Sequence, residues 1–235
     1  MPKKVNKDEK KLSSFELVRF PQGIFRDIYG NPDKLVPRML WVNKAVAHVI
    51  DALAVSDLSG AMVVSDTFRL PSASYIALKK KGPMVAPPGL SGHNYGISID
   101  VALDATYKAT GLSRNLLVPK LAGLGIHSIS SEAWHFNLMF SVAREYFFSL
   151  LDSFPEESIT EIKSSLVSKY SKTIEKVKSV KALQSSLGLT PDGVIGKRTI
   201  LAVSMLLAEK QGMFKRIADP KAKSIVVNFN DVWGK

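Results

Sequence analysis

The stretch SGHNYGISIDVAL, residues 91–103, sets a carboxylate inside an apolar strand, and no other feature of the chain constrains its folding as strongly. Ile97, Ile99 and Val101 alternate with Ser98 and Asp100. A strand over 97–103 therefore buries one set of side chains and turns the other to the opposite face. An ionised aspartate beside Ile and Val is costly unless a cation or hydrogen-bond donors meet it. The fold must bring a basic side chain or a metal ion to Asp100. His93, in the glycine-bearing turn just upstream, is one of only four histidines.

A second stretch answers the first. In EAWHFNLMF (132–140), a strand over about 134–140 sends Trp134, Phe136, Leu138 and Phe140 to one side and His135 and Asn137 to the other. If the two strands are neighbours, His93, Asp100 and His135 face one cleft, with Ile97, Ile99, Trp134 and Phe136 packed behind it. The chain has no cysteine, which excludes a disulfide framework, a cysteine zinc finger and a thiol nucleophile. Any metal must be held by His, Asp or Glu. Two imidazoles and a carboxylate with an open fourth position are a common donor set for catalytic zinc. Glu132 falls on the wrong side by strand alternation, unless the serine-rich SISSEAW segment is a loop edge. From a loop edge its carboxylate can hang over the open position as a general base. Each of these residues alone reads more simply as a hydrogen-bonded polar group; together they point to a metal site.

The remainder of the 235 residues is organised around this centre. Apolar spacing predicts a helix over 41–56, with His48 at its flank in a structural role. A β-rich run spans 60–70, and a helix over 72–81 ends in KKKG, where cations suit the helix dipole. Residues 83–92 form a Pro/Gly loop. After about residue 150 the composition turns polar and helical in period, then gives helix, a tight Pro191-Asp192-Gly193 turn and a second apolar helix over 180–210. Residues 224–233 read equally as a strand or an appended arm. The lysine-rich start, residues 1–14, reads as a solvated arm without a secretory leader, and no window reaches the ~18 apolar residues of a membrane span. The net charge of +11 favours a polyanionic partner: nucleic acid, anionic lipid or an acidic wall polymer.

SGHNYGISID resembles the S-x-H-x-x-G-x-A-x-D signature of zinc D-alanyl-D-alanine carboxypeptidases and L-alanyl-D-glutamate peptidases, and EAWH matches that family's E-x-W-H. The similarity covers about residues 15–148. It implies His93, Asp100 and His135 as zinc ligands, Glu132 as catalytic base and Ser91 as a substrate hydrogen-bonder. The family's S-G-Y-R-S segment is matched by SDTFRL only at Ser65 and Arg69, so Arg69 is the implied residue that binds or polarises the peptide. Ser98 replaces the motif's Ala. His127 either hydrogen-bonds in the cleft or, more simply, is structural. Downstream, VKALQSSLGLTPDGVIGKRT resembles a peptidoglycan-binding domain through Leu183-Gln184, Leu187-Gly188, Asp192-Gly193 and Gly196 to Thr199.

The resemblances imply an α+β fold: a small antiparallel sheet with flanking helices carrying a zinc site, followed by a C-terminal three-helix domain. The expected divisions are a basic arm over 1–14, a peptidase domain over 15–150, a helical connector over 151–172 and a wall-binding domain over 173–235. The implied function is that of a phage-type endolysin cutting the L-alanyl–D-glutamate bond of peptidoglycan stem peptides. It is expected to be a monomer, with no nucleic-acid partner and no integral membrane association, held in the host cytoplasm until a holin releases it. The alternatives are a D-alanyl-D-alanine carboxypeptidase and a non-catalytic, zinc-containing wall binder. A nucleic-acid binder fits the charge but has no motif.

Overall fold

The computed structural model describes residues 14–31, 35–82, 85–139, 143–152, 154 and 156–234. Two sheets organise it. Strands β1 (Ser14–Arg19), β3 (Trp41–Asn43) and β8 (Ser224–Asn228) form an antiparallel sheet in the order β3-β1-β8. Strands β2 (Phe25–Arg26), β4 (Met62–Asp66), β5 (Ser98–Val101), β6 (His127–Ser128) and β7 (His135–Asn137) form a second sheet in the order β2-β4-β5-β7-β6. Only β2 and β4 run parallel there. Around them lie α1 (Ala47–Ala54), α2 (Pro71–Lys81), α3 (Leu103–Thr110), α4 (Arg114–Gly123), α5 (Ala143–Asp152), α6 (Glu156–Thr173), α7 (Val180–Ser186), α8 (Lys197–Lys210) and α9 (Phe229–Trp233). The class is α+β, as expected.

Local chemistry accounts for several boundaries. Helix α2 opens on Pro71, whose fixed φ suits a first helical position, and closes on Lys79–Lys81 and Gly82 at φ +68°. The helix expected over 41–56 begins later. Trp41 and Val42 are buried in a strand paired with β1, and the Asn43 side chain then accepts from the Ala45 amide, turning the chain toward α1. The strand expected over 134–140 also starts late: Phe136 and Leu138 are buried, but Trp134 sits in a turn with 52% exposure. Trp134 therefore does not back the cleft; Phe136, Leu138, Ile97 and Ile99 do. Phe140 and residues 1–13 of the basic arm lie outside the described residues.

Gly96 joins the two sheets. Its φ is +68°, and a Cβ there would meet the Asn43 nitrogen at 2.8 Å and Leu17 Cδ2 at 2.9 Å. The close approach lets the Gly96 carbonyl accept from the Asn43 amide at 2.9 Å, tying β3 to the turn that carries His93.

The C-terminal half shares the same core. Residues 224–228, which the sequence left open, form β8, paired antiparallel with β1 from Ser14↔Asn228 to Val18↔Ser224. Helix α6, within and beyond the expected connector, buries Ile162, Leu166 and Tyr170 and packs on α8. Its Tyr170 hydroxyl lies 3.0 Å from Ser186 Oγ of α7, so α6, α7 and α8 make a three-helix unit. Helix α8 is buried continuously from Thr199 to Ala208. One apolar cluster runs from Phe15 to Val232. Among the described residues no helix is long and apolar enough to cross a membrane.

Phe229 is fully buried and packs edge-on against Phe15 of β1 at 6.3 Å. Phe229→Ala is expected to cost about 3–5 kcal/mol, the usual range for deleting a buried aromatic ring. In chemical denaturation both halves should unfold in one transition with a lowered midpoint.

Candidate metal centre

Strand register creates the site. β5 and β7 pair with Ser98 opposite Asn137, Ile99 opposite Phe136 and Asp100 opposite His135. Directly paired residues share a face, so Asp100 and His135 stand side by side while Ile99 and Phe136 seal the core behind them. His93 arrives from above. The 3-10 turn Gly92–Tyr95 folds back over β5, with the Ile97 amide donating to the Gly92 carbonyl. A Cβ on Gly92 would fall 1.9 Å from Ser98 Oγ, so only glycine lets the turn lie this close to the strand. Asn94 fastens the turn: its Nδ2 donates to the Arg69 carbonyl and Ser74 Oγ, and its Oδ1 accepts from the Gly89 amide.

The three donors meet at a point. His93 Nε2 is 3.1 Å from Asp100 Oδ1, His135 Nδ1 is 2.9 Å from the same oxygen, and the two ring nitrogens are 3.2 Å apart. Ligands on a tetrahedral ion at ~2.0–2.1 Å stand ~3.3 Å from one another. The triangle is slightly tight for zinc and has the right scale. Its tautomers point the same way. His93 Nδ1 lies 2.6 Å from the Thr67 carbonyl, which can only accept, so Nδ1 carries a proton and Nε2 is the ring nitrogen that a metal ion would take. A proton shared with Asp100 relieves one edge of the triangle; a metal ion relieves all three. His93, Asp100 and His135 could thus hold a metal ion. Burial opposes the charge on Asp100, but its contacts with His135 and His93 outweigh it and hold the carboxyl well below the usual carboxylate range.

The other residues anticipated from the sequence divide around this centre. Arg69 is beside it: Nη2 donates to Asp100 Oδ2 at 3.5 Å and is ion-paired with Asp66 Oδ2 at 2.6 Å. Glu132 is half-buried in the turn before β7, a loop edge, with its backbone carbonyl accepting from the His135 amide at 3.2 Å. Its carboxylate has no hydrogen bond or ion pair among the described residues. Ser91 is buried at the start of the His93 turn. His127 lies on β6 opposite Asn137, farther along the polar face, and His48 is exposed on α1. Three contributors were not anticipated. Thr67 acts through its main-chain carbonyl, which no residue pattern reveals. Asp66 and Arg38 form an ion-paired row with Arg69, foreshadowed only by the three-residue spacing of Asp66 and Arg69.

No family model, curated protein or solved structure matches the chain. The geometry of the site therefore carries its interpretation.

The chain is expected to bind one divalent metal ion per molecule in calorimetric titration, with zinc as the ion tested. At a free concentration of ~100 times Kd, binding to the folded state alone adds about 2.7 kcal/mol to stability, read as a raised melting temperature. Asp100→Ala should abolish both signals. A zinc-induced shift that survives in Asp100→Ala would contradict the site.

Proposed function

We propose that the chain is a zinc-dependent peptidase that hydrolyses the L-alanyl–D-glutamate bond of bacterial peptidoglycan stem peptides, acting as a phage-type endolysin. The observation that carries this reading is the convergence of His93 Nε2, His135 Nδ1 and Asp100 Oδ1 on one point, beside Arg69 and three residues from Glu132. A structural metal site needs no neighbouring base or guanidinium. The resemblance of SGHNYGISID and EAWH to the zinc wall-peptidase signatures supplies the substrate class.

Each residue then has a task. His93, Asp100 and His135 hold the ion, and the Thr67 carbonyl fixes the His93 tautomer that makes Nε2 a ligand. Bound zinc would act as a Lewis acid toward the scissile carbonyl and would lower the pKa of a bound water toward ~7. Glu132 takes the proton from the attacking water and returns it to the leaving amine. Arg69 keeps donors free for the negative charge that develops on the carbonyl oxygen. Ser91 hydrogen-bonds the substrate.

The three-helix unit is assigned to wall binding. Gln184 shapes its loop: Nε2 donates to Asp192 Oδ1 and the Val194 carbonyl, and Oε1 accepts from the Gly193 amide at 2.8 Å. Holding the catalytic face near insoluble substrate raises its local concentration. The net charge of +11 suits anionic wall polymers. In this reading the protein is a monomer that waits in the host cytoplasm until a holin opens the membrane.

Digestion of purified peptidoglycan with mass analysis of the new termini tests the proposal. New D-glutamate amines are expected; release of free D-alanine would instead indicate a D,D-carboxypeptidase. Glu132→Gln should keep zinc and fold while losing about 10²–10⁴ in rate, the usual contribution of a general base. Undiminished hydrolysis in that variant would remove Glu132 from the reaction. No hydrolysis by the zinc-loaded wild type would leave a wall-binding protein.

A further inference from the structure

β4 is irregular where it passes the metal centre. Val64 pairs with Val101, yet Asp66 pairs with Asp100, so β4 carries one residue more than β5 across this step. Ser65 is the extra residue. A regular ladder continued from Val64 would set Ser65 opposite Asp100 and turn Asp66 to the other face. The bulge restores Asp66 to the polar face, directly opposite the metal-ligand carboxylate. Two like charges facing each other across a sheet repel unless a cation stands between them.

What separates the two carboxylates is a guanidinium. Arg69 Nε donates to Asp66 Oδ2 at 2.7 Å, Nη2 is ion-paired with the same oxygen at 2.6 Å, and Nη2 also reaches Asp100 Oδ2 at 3.5 Å. On the other oxygen of Asp66, Oδ1, a second guanidinium arrives: Arg38 Nη1 at 3.4 Å, from the turn Pro37–Leu40. That turn is fixed to the site by the Thr67 hydroxyl, which donates to the Met39 carbonyl at 2.6 Å. The Thr67 amide in turn donates to Asp66 Oδ1. Asp66 is therefore saturated, while both arginines keep unused N–H groups: Arg69 at Nη1, and Arg38 at Nε and Nη2, among the described residues. Their side chains remain 23% and 43% exposed. The charges of Asp66 and Asp100 are cancelled by those of Arg38 and Arg69, so a divalent ion would present its full charge to whatever binds.

We propose that Asp66, brought opposite Asp100 by the bulge at Ser65, is a positioning residue that aims Arg69 and Arg38 as a paired clamp for a carboxylate on the substrate, next to the scissile bond. Guanidinium forks bind carboxylates through paired charge-assisted bonds, and two forks on one shared counter-ion leave room for a second anion between them. The inference rests on the peptidase reading and sharpens it. A D-glutamate on the amine side of the scissile bond, linked onward through its side-chain carboxyl, carries a free α-carboxylate two bonds from the leaving nitrogen. That group is the one the clamp would grip. Arg69, which also reaches Asp100, shares its unused Nη1 donors between the substrate carboxylate and the carbonyl oxygen of the scissile bond, and Arg38 sets the preference for an acidic residue.

The test uses the zinc-loaded Glu132→Gln chain, in which cleavage is suppressed, and two tripeptide probes. One is L-alanyl-γ-D-glutamyl-L-lysine; the other is identical except that the D-glutamate α-carboxyl is amidated. Calorimetry is expected to show the free acid bound at least tenfold more tightly, the scale of a lost charge-assisted hydrogen bond. Adding Arg38→Ala should erase the preference, Arg38→Lys should restore part of it, and Asp66→Asn should weaken it while zinc stoichiometry stays at one. Thermal melts of each variant check that the fold persists. A preference that survives in both Arg38→Ala and Asp66→Asn, or no preference in the parent chain, overturns the clamp and leaves the peptidase reading standing. Failure of the parent chain to bind either probe overturns the peptidase reading, and the clamp with it.

Discussion

Three lone pairs aimed at one point repel unless a positive charge stands among them. In this protein three donor atoms, on His93, His135 and Asp100, stand 2.9 to 3.2 Å apart, where shared protons or a metal ion can meet them. Arg69 reaches only the outer oxygen of Asp100, at 3.5 Å, and does not touch the two ring nitrogens. A metal ion at the centre of the triangle would supply that charge. An ion there would convert three mutually unfavourable groups into three ligands, and so makes sense of a carboxylate placed in an apolar strand.

The surroundings read as devices that hold this arrangement rigid. The Thr67 carbonyl accepts a hydrogen bond from His93 Nδ1–H and leaves the other ring nitrogen facing the centre. Gly92 allows the His93 turn to lie on Ser98, and Gly96 locks that turn against β3. β3 and β8 flank β1, so the C-terminal strand completes the sheet that supports the turn. The three-helix unit meets the same region from the other side: a Cβ on Gly89 would fall 2.7 Å from the Leu201 carbonyl of α8. Glu209 of α8 also accepts from the amide of Ser72, beside Arg69 on the chain. The three-helix unit is thus packed directly against the elements that carry the candidate metal centre.

How much of this was legible in the sequence depends on whether a residue's role is local. Asp100 and His135 could be placed because a strand has period two, and each stretch carries its own alternation of apolar and polar residues. His93 followed from the turn glycines. Glu132 required only the recognition that SISSEAW is too polar to be strand. Trp134 was misjudged because alternation does not say where a strand starts, and β7 begins one residue later, at His135. Trp41 and Val42 read as the start of the helix because their spacing continues its apolar stripe; their pairing with β1 makes them strand. Asp66 was hidden by the bulge, since parity changes at Ser65 and depends on a partner strand distant in sequence. The pairing of Ser14 with Asn228 is the extreme case, a contact between opposite ends of the chain that no local pattern encodes.

The central claim is that these two imidazoles and one carboxylate share a single metal ion. X-ray absorption at the zinc edge, on protein loaded with one equivalent of zinc, addresses it without reference to any activity. A shell of nitrogen and oxygen atoms at ~2.0–2.1 Å, with outer-shell scattering from two imidazole rings, is the expected result. A shell of oxygens alone, or zinc with the spectrum of the aqueous ion, would contradict the account.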